Sequence, residues 1–179
     1  MIKNNFNELM AQKKLKITRV FNDTGISRPT LTSLTRNEGK GIQYDTLNTL
    51  CNYFNITPND FFSYIPYEFE ISIVPIEDTT KFFDIYINVF NNKNEKLNTY
   101  ELYVSLNKNY DIETETIGNL LLTDDEVDRE FLKFLKETFN PSWRQTILDY
   151  IDNDILSYFK NNHSEFDSFI INNDLKKYI

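Results

Sequence analysis

The chain has 179 residues, 40% of them apolar and 26% charged, and a formal net charge of −8. One cysteine, Cys51, and one histidine, His163, exclude an intrachain disulfide, a cysteine-based zinc site and any two-histidine metal site. No apolar run approaches the ~20 residues of a membrane span, and Met1 to Lys13 shows no apolar signal core. A folded cytoplasmic protein of one ordinary or two small domains is expected.

Residues 1–66 carry helical periodicity. Phe6, Leu9 and Met10 share one helical face, and Ile17, Val20 and Phe21 form a second set. Gly25 suits a turn with positive φ. Ser27 is a natural N-cap for the next helix, with Pro29 in its first turn and Leu31 and Leu34 pointing inward. Residues 37–41, with two glycines, form a loop. Tyr44 or Asp45 opens a helix bearing Leu47, Leu50, Cys51 and Phe54. Thr57-Pro58-Asn59-Asp60 caps a short one before Phe61 and Phe62, and Pro66 closes the segment.

After Pro66 the period becomes alternating. Phe69, Ile71 and Ile73 mark one strand. Phe83 to Val89 and Tyr100 to Leu106 mark two more, joined as a hairpin by the polar Asn91–Asn98 stretch. Thr123 and Glu126 form a capping box that opens a helix with Val127, Phe131, Phe134 and Leu135. Asn140-Pro141 begins another, with Trp143, Ile147, Tyr150, Ile151 and Ile155. Ser164 to Ile170 reads as a last amphipathic helical piece. The expected fold is α+β: an all-α five-helix N-terminal domain over 1–66, then a small α+β domain over 67–179 with a three-stranded antiparallel sheet plus helices.

Charge divides at the same place. Residues 1–66 hold eight basic and five acidic side chains, net +3, whereas 67–179 are net −11. Such asymmetry fits one part that meets polyphosphate and one that stays off it. The functional signal lies in Thr18–Arg36: a short helix, a glycine turn, and a second helix with a small polar cap, the helix-turn-helix arrangement. Inward Ile26, Leu31 and Leu34 leave Ser27, Arg28, Pro29, Thr32, Ser33 and Arg36 facing outward. Small polar groups plus arginine let a helix approach base edges in a major groove.

Residues from about Leu9 to Tyr64 resemble the lambda-repressor/Cro (Xre-type) helix-turn-helix family. The resemblance runs through Asn22-Asp23-Thr24-Gly25-Ile26-Ser27-Arg28-Pro29-Thr30-Leu31. It continues in Thr46, Leu47, Leu50 and Cys51 of a fourth helix and in Pro58–Phe62 of a fifth. It implies binding of double-stranded DNA. Ser27, Arg28, Pro29, Thr32 and Ser33 are then candidate base contacts, with Arg28 the main reader. Thr18, Arg36, Lys40 and Tyr44 are candidate phosphate contacts. A salt bridge from Arg28 to Asp23 or Glu38 is the structural alternative. Two positions depart from the family pattern. Phe21 replaces a small residue where the motif helices touch, which implies a wider crossing or a rotated side chain. Ile17, with Thr18 beside it, stands where a phosphate-holding glutamine is common.

Residues 67–179 resemble no named family. They show no glycine-rich phosphate loop, no serine–histidine set and no self-cleavage signature, so no enzyme, cofactor or metal is expected. Helix-turn-helix proteins commonly bind as dimers on two half-sites. The expectation is therefore a homodimer through 67–179 on an inverted-repeat operator, acting as a transcriptional repressor of a bacterial or mobile-element circuit. Phe131, Phe134, Trp143, Ile147, Phe166 and Phe169, or an open hairpin edge, are candidate subunit contacts. A protein or small-molecule effector is a further candidate partner of this part. The competing reading is a protein-interaction module, such as an antitoxin or phage-encoded inhibitor. Cys51 is expected as a small buried residue, His163 as exposed and passive, and Asp124-Asp125-Glu126 as a helix N-terminus rather than a metal site.

Overall fold

A computed structural model describes residues 1–37, 41–77, 81–110, 116–122 and 128–178. The chain divides into two compact units, Met1–Pro66 and Tyr67–Ile179.

The first unit begins with strand β1 (Ile2–Asn4), followed by helices α1 (Phe6–Gln12), α2 (Ile17–Thr24), α3 (Arg28–Arg36), α4 (Tyr44–Phe54) and α5 (Pro58–Phe61), and ends in strand β2 (Phe62–Tyr64). The two strands pair antiparallel, with Ile2 opposite Tyr64 and Asn4 opposite Phe62. The Met1 amine donates to the Ile65 carbonyl at 3.0 Å. The expectation of an all-α five-helix domain therefore fails. Backbone pairing between the two ends of the unit closes it, and neither three-residue strand is long enough to show an alternating pattern. The core contains Phe6, Val20, Leu31, Leu50, Phe54 and Phe61, each at most 1% exposed. Cys51 lies among them on the inward side of α4, and burial pushes its thiol pKa up.

The second unit holds β3 (Tyr67–Pro75), β4 (Phe82–Asn91), β5 (Lys96–Tyr110), β6 (Thr116–Leu122), α6 (Asp128–Thr138), α7 (Pro141–Asn162), β7 (Ser168–Asn173) and a final 3-10 turn, Asp174–Tyr178. The expected three-stranded antiparallel sheet is in fact a five-stranded mixed sheet in the order β3-β4-β5-β6-β7. The β3–β6 meander is antiparallel, and β7 returns parallel to β6. The segment expected to end in an amphipathic helix instead supplies β7. Phe166, Phe169 and Ile170 are helically spaced, but tertiary contact decides the conformation. The Phe169 ring packs over Gly118 of β6 so closely that a Cβ there would lie 2.5 Å from ring carbons.

Helices α6 and α7 cover one face of this sheet. Phe83 meets Phe159 edge-on at 4.8 Å, and Tyr100 stacks on Phe134 at 5.4 Å. The candidate subunit contacts Phe131, Trp143 and Ile147 are buried within this core, so they are not spare surface. The hairpin edge is not open either, because β6 pairs along β5 and β7 along β6. His163 caps the C-terminus of α7, stacks on Phe159 at 5.2 Å and contacts Glu165 through Nδ1 at 3.0 Å, so it is a half-buried packing residue. Asp152, buried on α7, meets Lys176 at 2.6 Å and Asn173 at 2.7 Å, which pins the C-terminal segment to the helix. The Thr123/Glu126 capping box and Asp124-Asp125-Glu126 lie outside the described residues. No helix among the described residues is long and apolar enough to cross a membrane.

On the other face Asp84 of β4 sits opposite Tyr103, beside Glu101. Its Oδ1 is buried without a hydrogen-bond partner among the described residues. Burial, reinforced by the Glu101 charge, raises the Asp84 pKa. A carboxylate whose pKa is raised by folding favours the folded state when protonated and opposes it when ionised. Asp84→Asn is therefore expected to raise the Tm by about 2–4 °C at neutral pH. The gain should vanish as pH falls below the ordinary carboxylate range near ~4. Thermal melts of both chains across pH check this.

Candidate nucleic-acid interface

Helix α2 ends at Gly25, whose φ of 72° lies in the left-handed region and whose N–H donates to the Phe21 carbonyl. The Thr24 hydroxyl donates to the Val20 carbonyl at 2.7 Å and accepts from the Ile26 N–H at 3.2 Å, which closes the turn. Ser27 then caps α3: its Oγ accepts from the Thr30 N–H at 3.3 Å, and Pro29 occupies the first turn. Leu31 and Leu34 are buried, which fixes the rotation of α3. The opposite side, with Arg28, Pro29 and Arg36 exposed and Thr32 and Ser33 half-buried, faces solvent.

The far end of α3 is held by β1. Asn37 takes the left-handed C-cap position at φ 53°. Its Oδ1 accepts from both the backbone N–H and the side-chain amide of Asn4, each at 2.7 Å. The same Asn4 amide donates to the Leu34 carbonyl at 3.0 Å, and Asn7 donates to the Thr35 carbonyl at 2.9 Å. Helix α3 is thus fixed at its start by the Ser27 cap and at its end by an asparagine clamp. A rigid presenting element of this kind suits groove recognition.

The structure places the candidate site residues as follows. Ser27 is exposed, but its hydroxyl is already engaged with Thr30, at 2.8 Å from the Thr30 Oγ1. Arg28 is exposed, with its guanidinium 5.0 Å from the centre of the Phe21 ring. The salt-bridge alternative to Asp23 does not form. Asp23 Oδ2 instead accepts from Arg19 Nε at 2.7 Å and from the Tyr53 hydroxyl at 2.8 Å, which ties α2 to α4. Phe21 rotates partly outward and becomes the platform under Arg28. Thr18 is exposed at the start of α2, and Tyr44 is 89% exposed at the start of α4. Arg36 is the last residue of α3. Lys40 and Glu38 lie outside the described residues.

Three further exposed residues carried no sequence expectation. Thr30 stands on the first turn of α3. Lys16 and Gln43 occupy the N-cap positions of α2 and α4 without a side-chain capping bond. Both helices therefore present first-turn N–H groups that an external phosphate oxygen can accept from. The signal available for all three is a polar residue immediately before or within the first turn of a periodic helix.

A short helix, a left-handed glycine and a capped second helix with a polar outward face define a helix-turn-helix unit. A family model for the Cro/C1-type HTH DNA-binding domain matches residues 5–67, the stretch that holds this unit. The match spans just over a third of the chain, and no family model matches the C-terminal region. No curated protein and no solved structure matches the chain.

Proposed function

We propose that the chain is a sequence-specific transcriptional regulator that reads duplex DNA with α3 and acts as a repressor, by occupying an operator that overlaps a promoter. The observation that carries this reading is the outward face of α3, fixed at both ends and presenting Arg28 from its first turn. Ser27, Pro29, Thr32 and Ser33 line the approach to the bases, and Thr18, Arg36, Lys40 and Tyr44 hold the flanking phosphates. The net +3 of residues 1–66 supports that assignment, as does the −11 of the remainder, which keeps the second unit off the DNA. The regulator works as a homodimer on an inverted repeat in the cytoplasm, through occupancy and without a chemical step. Residues 67–179 join the copies or receive an effector.

Selection of preferred duplexes from a random pool, followed by titration across salt, tests this. With Arg36 and Lys40 from two copies on phosphate, log K should fall with log salt at a slope of about −4. That is roughly a hundred-fold loss between about 50 and 200 mM salt. No preferred duplex at low salt would refute the reading and favour a protein-interaction module.

A further inference from the structure

The two edges of the five-stranded sheet differ sharply. Edge strand β3 carries Glu68 and Glu70 and ends at Pro75, and the Tyr150 hydroxyl of α7 donates to its Phe69 carbonyl at 3.2 Å. Charge, proline and a covering side chain are the usual defences of a strand edge. Edge strand β7, Ser168-Phe169-Ile170-Ile171-Asn172-Asn173, has no charge, proline or glycine. In the strand order β7 is terminal, and β6 is the strand it pairs with. Ile170, in its centre, is 53% exposed.

We propose that β7 pairs antiparallel with β7 of a second copy about a two-fold axis at Ile170, forming one continuous ten-stranded sheet. This rests on the homodimer reading above and names its contact. Self-complementarity points to a second copy rather than a foreign strand. In the register centred on Ile170, Ile170 faces its own counterpart, Phe169 faces Ile171, and Ser168 faces Asn172. Apolar then meets apolar and polar meets polar on both sides, as an isologous contact requires. The register centred on Ile171 would set Phe169 against Asn173 and Ile170 against Asn172. Charge selects the same edge. In a unit of net −11, pairing through β3 would bring Glu68 and Glu70 of two copies together, whereas β7 brings no like charges face to face. Edge-to-edge pairing also leaves the helices of each copy on the face they already cover.

The test uses the full chain. Light scattering at micromolar concentration should give a dimer for the unaltered protein and a monomer for Ile170→Lys, which places two ammonium groups across the axis. Circular dichroism should show an unchanged fold, because Ile170 is half out of the core. Affinity for a two-half-site duplex should drop at least tenfold, with single half-site affinity retained. Ile170→Cys should cross-link under diamide, since residues directly opposite across an antiparallel pair have Cα atoms about 4.5–5.5 Å apart, within disulfide reach. Val74→Cys on the other edge should not. A dimer that persists in Ile170→Lys with no Ile170→Cys cross-link would overturn the β7 contact and leave the homodimer reading standing. A monomeric unaltered chain would overturn both.

Discussion

Asn4→Ala should destabilise the N-terminal unit by about 2–3 kcal/mol, a large share of what a unit of this size possesses. Asn4 is 9% exposed, and its side chain makes three bonds at once. It donates to the Leu34 carbonyl and to Asn37 Oδ1, and it accepts from the Phe6 N–H at 3.0 Å. Truncation strands a buried N–H at the start of α1 and leaves the Leu34 carbonyl only the longer 3.3 Å bond from the Asn37 N–H, so a desolvation penalty is added to the lost bonds. The Tm of the unit is expected to fall by roughly 10 °C or more. Asn7→Ala removes a single exposed bond to the Thr35 carbonyl and should change stability by no more than about 0.5 kcal/mol. Hydrogen exchange over residues 1–66 separates this unit from the second one. Equal protection in the two variants would show that β1 does not hold α3.

That clamp could not be read from the chain, because Asn4 and Asn37 are 33 positions apart. Nothing local distinguishes an asparagine that spans two elements from one in a loop. The parts that were legible had short-range causes. Apolar spacings of three and four placed α1 to α4, and Ser27, Pro29 and Gly25 placed the ends of the motif helices through capping and positive φ. The exposed side of α3 followed from the burial of Leu31 and Leu34, since a helix that buries one stripe presents the opposite one.

The second unit resisted for two different reasons. Strand β6, Thr116–Leu122, ends in three consecutive leucines and contains a glycine, so it has no clean alternation. Its glycine is required by a partner 51 residues later, the ring of Phe169. Strand β7 is a parallel partner reached only after two helices, and its apolar spacing matched a helix as well as a strand. Strands β3, β4 and β5 alternate visibly because one face meets α6 and α7 while the other carries Glu68, Glu70, Asp84 and Glu101. In the site, Phe21 was legible as a departure from the family pattern. Its consequence was not, because a ring under Arg28 depends on the rotation of two helices against each other.

Arg28→Ala should weaken binding to the preferred duplex by about 10- to 100-fold and leave affinity for random DNA nearly unchanged. A bidentate arginine–guanine pair discriminates by about 1–3 kcal/mol, and that is the role proposed for Arg28. It is the first residue of α3, it is exposed, and no carboxylate among the described residues bridges it, since Asp23 is engaged by Arg19 and Tyr53. The Phe21 ring 5.0 Å away limits the sweep of the guanidinium without neutralising it. Less ordering entropy is then lost on docking. Arg28→Lys should not restore specificity, because an ammonium lacks the planar fork that matches two acceptors on one base. Phe21→Ala keeps the arginine but removes its platform. An exposed cation–π contact is worth about 0.5–1 kcal/mol, so affinity should fall two- to fivefold with the base preference unchanged. Binding curves for the three variants on the selected duplex, on single-base variants of it and on random DNA distinguish these effects. Equal losses on specific and random DNA for Arg28→Ala would place the arginine on a phosphate and show that α3 docks in a different rotation.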